Sequence, residues 1–248
     1  MNRILFESDE IDSHGRVVLR DHRAEHIRSV LKAAPGKELK TGTVNGLCGF
    51  SQVLEVSSDS VCLEVRHTNQ SIQPWFDLIL AMPRPLVLKR LWPQLATLGA
   101  GKIILLQAAR VEKFYFSSQW IDPVAVRPLL IEGAMQSGST YLPTFQISRN
   151  FKRFMHEELD ALFSESSRLL AHPGTTTALS TDNMDARRPL LAVGPEGGWK
   201  RDEIDLFVAN GFSMFSLGSR VMRSDTACIA LIAVMNYIFE SRPSLPRC

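Results

Sequence analysis

From Trp75 onward the chain alternates short apolar runs with amphipathic stretches of helical period, and this alternation does most to limit the folds open to it. Strands joined through helices pair in parallel, and a parallel sheet must be covered, so the pattern predicts an α/β domain with helices on both faces of a mostly parallel sheet. The predicted strands are 77–82, 102–108, 168–172, 190–193 and 213–217, and the predicted helices are 86–98, 123–135, 201–209 and 224–240. The last helix is the clearest: Ala227, Ala230, Leu231, Val234, Met235 and Ile238 recur at i, i+3, i+4 spacing, and Ser224 is its predicted N-cap. Pro93 lies inside 86–98, where a proline costs about 3 kcal/mol or kinks the helix, so a bend is expected there.

Residues 1–72 read differently, as a small β-rich unit. A strand at 16–19 precedes a helical face of Ile27, Val30 and Leu31 that Pro35-Gly36 breaks. Short strands follow at 38–44, 50–56 and 61–66, with Asn45-Gly46 as the hairpin turn, and the polar stretch 67–74 is the predicted linker. A length of 248 residues suits two such domains. Cys48, Cys62, Cys228 and Cys248 show no C-x-x-C spacing that could join the His22-x-x-x-His26 pair, so neither a disulfide framework nor a metal site is indicated. The first residues turn acidic at Glu7, too early for a signal peptide, and no apolar run reaches the roughly 20 residues that span a bilayer. A cytoplasmic protein with no membrane partner is the expectation. The net charge of +2 carries no strong electrostatic footprint for nucleic acid.

Two segments carry chemistry. The apolar run 190–193 leads into Gly194-Pro195-Glu196-Gly197-Gly198, a glycine loop where a strand gives way to a helix and backbone groups can approach a ligand. A bare G-x-x-G-G is more often a tight turn. The second segment, Leu217-Gly218-Ser219-Arg220-Val221-Met222-Arg223-Ser224-Asp225-Thr226-Ala227, also follows a short strand and ends at a helix N-terminus whose free N–H groups suit an anionic ligand. Together the two strand ends would form one pocket. No G-x-x-x-x-G-K-[ST] loop, no early G-x-G-x-x-G and no G-x-S-x-G elbow is present, which argues against an NTPase, a dinucleotide fold and a serine hydrolase.

The pairing of these two segments resembles the RsmE family of 16S ribosomal RNA uridine-N3 methyltransferases, and the similarity runs over almost the whole chain. Arg3-Ile4, His26-Ile27-Arg28-Ser29-Val30-Leu31 with Pro35-Gly36, Gln136-Ser137-Gly138 and Leu170-Ala171-His172-Pro173 resemble further family segments. The resemblance implies a PUA-like RNA-binding β-barrel at 1–72 and a SPOUT methyltransferase domain at 75–248, its C-terminal part threaded into a trefoil knot. It implies S-adenosyl-L-methionine as cofactor, 16S ribosomal RNA or the small ribosomal subunit as partner, and a homodimer formed through the knotted domain. The cofactor-binding residues carried over are Leu170, His172, Gly194, Pro195, Glu196, Gly197, Gly198, Leu217, Gly218, Val221, Met222 and Arg223. The chain departs from the family pattern at Thr97 and Ser139, where charged groups are absent, and this bears on the target rather than on the cofactor.

Methylation of uridine N3 requires loss of the N3 proton and in-line attack on a sulfonium methyl, so the protein must position both partners and favour the uridinate anion. Arg223 is the first choice for stabilising that anion, with Arg3 reaching the nucleotide from the barrel, and Glu196 is a candidate base or orienter. Arg84, Lys89, Arg90, Arg110 and Lys113, just past two predicted strand ends, are the candidate RNA contacts together with Arg3. Two other readings stay open: a SPOUT methyltransferase acting on a different RNA position such as a ribose 2′-hydroxyl, and a catalytically silent RNA-binding or assembly factor.

Overall fold

The computed structural model describes residues 2–180, 184–185 and 187–241, so the outermost ends of the predicted domains, Met1 and Cys248, lie outside the described residues. The chain groups into two compact units, Met1–Gln73 with Ile131–Leu142, and Pro74–Leu130 with Pro143–Cys248.

The first unit is built on a five-stranded sheet ordered β1-β3-β4-β5-β2, from β1 Ile4–Phe6, β2 Arg16–Leu19, β3 Glu38–Thr43, β4 Cys48–Val56 and β5 Val61–Asn69. β1 pairs in parallel with β3, and the remaining pairs are antiparallel. Asn45 sits in the β3–β4 turn at φ +55°, a left-handed conformation that asparagine tolerates. The helix α1 His22–Glu25 continues through a π turn at His26–Val30 and buries Ala24 and Ile27. β5 runs on to Asn69, so the predicted linker begins as strand. Pairing of Gly49 with His67 and of Cys48 with Asn69 satisfies backbone groups in a stretch whose polar side chains gave no strand signal. Residues 131–142 join this unit through the N–H groups of Asn2 and Arg3, which donate to the Met135 carbonyl at 3.0 and 3.1 Å, and through Thr140 N–H, which donates to Ser71 Oγ at 2.9 Å.

The second unit holds a six-stranded sheet in which every pair is parallel, ordered β11-β9-β10-β6-β7-β8. Its strands are β6 Phe76–Ala81, β7 Ala100–Leu106, β8 Thr144–Ser148, β9 Ser166–Ala171, β10 Arg188–Val193 and β11 Ser213–Phe215. All six residues of β6 are buried, as expected of a central strand covered on both faces, and each Leu or Ile side chain there contributes roughly 1.5–3 kcal/mol. The edge strand β8 escaped prediction because it is mostly solvent-facing and lacks an apolar run; β1 was missed because it is only three residues long.

Helices α2 Pro85–Thr97, α3 Pro123–Ser137, α4 Phe151–Arg153, α5 Leu159–Phe163, α6 Arg201–Ala209 and α7 Ser224–Glu240 complete the order, with a π turn at Phe154–Glu158 joining α4 to α5. α2 remains one helix through Pro93, whose carbonyl accepts the Thr97 hydroxyl hydrogen at 2.8 Å. The N-cap of α7 is corrected from Ser224 to Arg223. Ser224 is the first helical residue, and its hydroxyl is turned to Glu196 instead of to its own helix.

Strand order positions the site. β6, β7 and β8 are laid down toward one edge; β9 then starts on the other side, and β10 enters between β9 and β6. That reversal is a topological switch point, and parallel sheets bind ligands outside the carboxyl ends of the strands there.

Candidate functional site

The segments that leave the carboxyl ends of the adjacent strands β11, β9 and β10 enclose a cavity of about 380 Å³ with the first turns of α7. Its wall includes His172 after β9, residues 194–199 after β10, residues 216–218 and 220–222 after β11, and Ser224, Ala227 and Leu231 of α7. The volume falls within the range usual for small-molecule sites.

Glycine is needed in the β10 loop because other groups press against its backbone. A Cβ on residue 194 would lie 2.9 Å from Trp199 Nε1, and one on residue 197 would lie 3.1 Å from Arg110 Cδ. Gly198 at φ +72° and Gly218 at φ +114° close their turns in the left-handed region that side chains disfavour. Gly198 N–H donates back to the Pro195 carbonyl at 2.8 Å.

A buried carboxylate frames the loop. Glu203, 3% exposed in α6, accepts Lys200 N–H at 2.8 Å with one oxygen and Ala109 N–H at 2.7 Å with the other. The first bond closes the helix end, and the second ties in the segment after β7. Arg110, the next residue, donates from Nη1 to the Gly197 carbonyl and lines the cavity. Glu196, the one acidic side chain on the wall among the described residues, accepts the Ser224 hydroxyl hydrogen at 3.2 Å and so joins the glycine loop to α7.

His172 is held from both its backbone and its ring. Its backbone N–H donates to the Phe215 carbonyl at 3.0 Å, and its ring Nδ1 accepts Gly174 N–H at 2.9 Å, which in the neutral ring puts the proton on Nε2. Burial pushes the imidazole below its ordinary value, and the Arg201 charge adds to the effect. Trp199 is packed against Phe151 and Phe207, its indole N–H buried without a hydrogen-bond partner among the described residues.

Most of the residues read from the sequence as cofactor-binding meet here: His172, Gly194, Pro195, Glu196, Gly197, Gly198, Leu217, Gly218, Val221 and Met222 all line the cavity. Leu170 and Arg223 do not. Leu170 is fully buried inside β9, so Ala171 and His172 reach the wall in its place, and Arg223 is the exposed N-cap of α7. Arg3 belongs to the first unit, where its guanidinium donates to the carbonyls of Gly138 and Thr41 at 2.7 Å and of Gly49 at 3.3 Å.

Arg84, Lys89, Arg90 and Lys113 are exposed. Lys89 lies 4.5 Å from the centre of the Trp120 ring, and Arg90 pairs with Asp225 at 3.2 Å. Neither Thr97 nor Ser139 lines the cavity; Ser139 Oγ accepts Tyr141 N–H at 3.1 Å. Arg220 and Ser224 lie in the second segment read as part of the pocket, whereas Trp199 and Leu231 were not anticipated as wall residues. For Trp199 its place directly after Gly197-Gly198 was a usable signal. For Leu231 none existed, because it reads as one more apolar position of a helix. Among the described residues no cluster of three or more histidine, cysteine or acidic side chains could hold a metal ion.

Comparisons with known proteins agree with this geometry. Residues 70–236 match the model of the RNA methyltransferase domain family. The chain is 30% identical over 242 residues to ribosomal RNA small subunit methyltransferase E of Treponema pallidum, covering 95% of this chain and 90% of the relative. It is 28% identical over 234 residues to ribosomal RNA small subunit methyltransferase E 1 of Borreliella burgdorferi, covering 93% and 95%. Among solved structures it resembles ribosomal RNA small subunit methyltransferase E of Neisseria gonorrhoeae bound to S-adenosyl methionine, with TM-score 0.71, 22% identity and coverage of 96% and 98%. A probable rRNA-methyltransferase of Porphyromonas gingivalis gives TM-score 0.73 at 19% identity, again covering 96% and 98%.

Proposed function

The chain belongs to the RNA methyltransferase domain family, with the ribosomal RNA small subunit methyltransferases E, and from that premise we propose that it methylates N3 of a uridine in 16S ribosomal RNA using S-adenosylmethionine. The observation that carries this reading is the single cavity formed by three strand-end loops, whose close-packed glycines present backbone groups and whose wall mixes apolar side chains with Arg110 and Glu196. Such a wall fits a ligand with an apolar adenosyl face and charged ends of both signs. His172, the loop 194–198 and residues 217–222 would hold it.

The bound cofactor supplies an electrophilic methyl group on a sulfonium. The protein has to hold the uracil in line and stabilise the negative charge that appears as N3 loses its proton. We assign the charge stabilisation to Arg223, which leads into α7 beside Met222 of the wall, and the N3 proton to Glu196, oriented by Ser224. Arg84, Lys89 and Lys113 are assigned to the RNA backbone. Arg3 is assigned to the nucleotide through whatever donor capacity its three carbonyl contacts leave.

The same reading takes residues 1–72 as a PUA-like barrel, supported by the five-stranded sheet, and 75–248 as a SPOUT domain with a trefoil knot, supported by the entry of β10 between two earlier strands. A homodimer through this domain is supported by the solvent-facing apolar side of α7, where Val234 and Tyr237 are 37% and 74% exposed. A cytoplasmic setting agrees with the finding that no described helix is long and apolar enough to cross a membrane.

Titration calorimetry with S-adenosylmethionine should show binding, and absence of heat at saturating ligand sinks the enzyme reading. Nucleoside mass spectrometry of 16S ribosomal RNA from a deletion strain should show loss of 3-methyluridine. An unchanged amount excludes this target.

A further inference from the structure

Arg110 reads from the sequence as a contact for RNA, but its surroundings suit a different ligand. It comes from the segment after β7, apart from the three strand-end loops that form the cavity, and it still lines the cavity. Its aliphatic stem lies across Gly197, with Cδ and Cβ 3.1 and 3.3 Å from where a side chain at 197 would begin, and Nη1 donates to the Gly197 carbonyl. The preceding residue, Ala109, is anchored by its N–H to buried Glu203. One end of the side chain is thus pinned through the backbone and the other through the guanidinium, so little rotamer freedom remains to be lost on binding.

This cation has no ion-pair partner among the described residues. A guanidinium fork has several donors beyond the one given to Gly197, and its geometry matches a carboxylate. Arg220, the other arginine on the wall, is exposed as Arg110 is, but it makes no hydrogen bond or ion pair among the described residues and so lacks this preorganisation. Glu196, the acidic side chain on the same wall, favours a cationic group.

We infer that Arg110 is the residue that reads the carboxylate of the cofactor's methionyl end, and that it thereby selects for ligands that carry an amino-acid moiety. The inference rests on the cofactor proposed above. RNA phosphate is the competing partner for the same fork, and the arms of the test separate the two.

The test compares wild type, Arg110→Gln and Arg110→Lys by calorimetry, with S-adenosylhomocysteine and with 5′-methylthioadenosine, which keeps the adenosine and sulfur but lacks the amino-acid end. Gln retains a donor for the Gly197 carbonyl. Arg110→Gln is expected to weaken S-adenosylhomocysteine binding by about ten- to a hundred-fold while changing methylthioadenosine affinity less than about two-fold, because only a charge-assisted bond is lost. Arg110→Lys should recover part of the loss. Equal weakening toward both ligands overturns the inference, since Arg110 would then only shape the loop. Unchanged affinity for both, with weaker binding of a 16S ribosomal RNA fragment, overturns it in favour of phosphate. A wild type that binds neither ligand instead overturns the cofactor reading, and this inference falls with it.

Discussion

Single atoms set the limits of the glycine loop. The indole of Trp199 lies where a methyl group at residue 194 would sit, and Trp199 is itself held by Phe151 and Phe207, so neither side can yield cheaply. Gly194→Ala is therefore expected to cost about 1–3 kcal/mol of stability by overpacking and to weaken cofactor binding as the loop shifts; denaturant unfolding and calorimetry check the two effects. Arg223 makes the opposite kind of demand. It stands at the helix N-cap and off the cavity wall, so Arg223→Ala should lower turnover far more than cofactor affinity. Equal losses in steady-state kinetics and in binding would make it a cofactor ligand. Cys228, by contrast, is silent by burial, which pushes its thiol up to about 12, so native protein should leave it unlabelled by iodoacetamide at mildly alkaline pH.

At the scale of elements, α6 does more than cover the sheet. Its third residue, Glu203, satisfies one N–H at its own start and one in the segment after β7, that of Ala109, the residue before Arg110. Glu203→Ala leaves two such donors without partners, at roughly 1–3 kcal/mol each, and should loosen both loops together. Hydrogen exchange at Lys200 and Ala109 is expected to rise in parallel; a rise at Lys200 alone would confine Glu203 to helix capping. The element pattern itself was largely legible in the sequence, because strands buried on both faces are continuous apolar runs and α7 has a clear helical period. β8 was not legible, since its stability comes from backbone pairing with β7 and not from its side chains. Nor was the cap of α7: Ser224 has the chemistry of an N-cap, but the neighbouring Glu196 carboxylate takes its hydroxyl.

Across the whole molecule, the carboxyl and imidazole groups shifted by folding respond to acid in the same direction. Burial holds His67 and His172 below their ordinary value, with the Arg3 and Arg201 charges adding, and the hydrogen bond from Arg23 holds Glu10 low. A group whose proton affinity is depressed by folding contributes stability that is present above its unfolded value and is lost as pH falls toward its folded value. The thermal midpoint is thus expected to fall between about pH 7 and about pH 5 as the histidines protonate in the unfolded chain, and to fall again below about pH 4.5 with Glu10. His67→Gln should flatten the first step. A midpoint that rises on acidification contradicts the sign.

What the sequence by itself determined is local: the alternation that demands a parallel sheet, the two glycine-bearing strand ends, and the helix that follows the second of them. These are legible because period, turn chemistry and capping depend on residues a few positions apart. Only the tertiary structure decided which strand ends are neighbours. The insertion of β10 between β9 and β6, with the pairing of β11 on β9, is a choice among pairings of similar apolar strands, and it brings residues 172, 194–198, 217–218 and 220–222 to one cavity. It likewise decided that Arg110, outside any motif, lies against Gly197, and that Leu170, inside one, faces the core. Contacts between residues distant in the chain are set by packing and strand order, and no local signal records them.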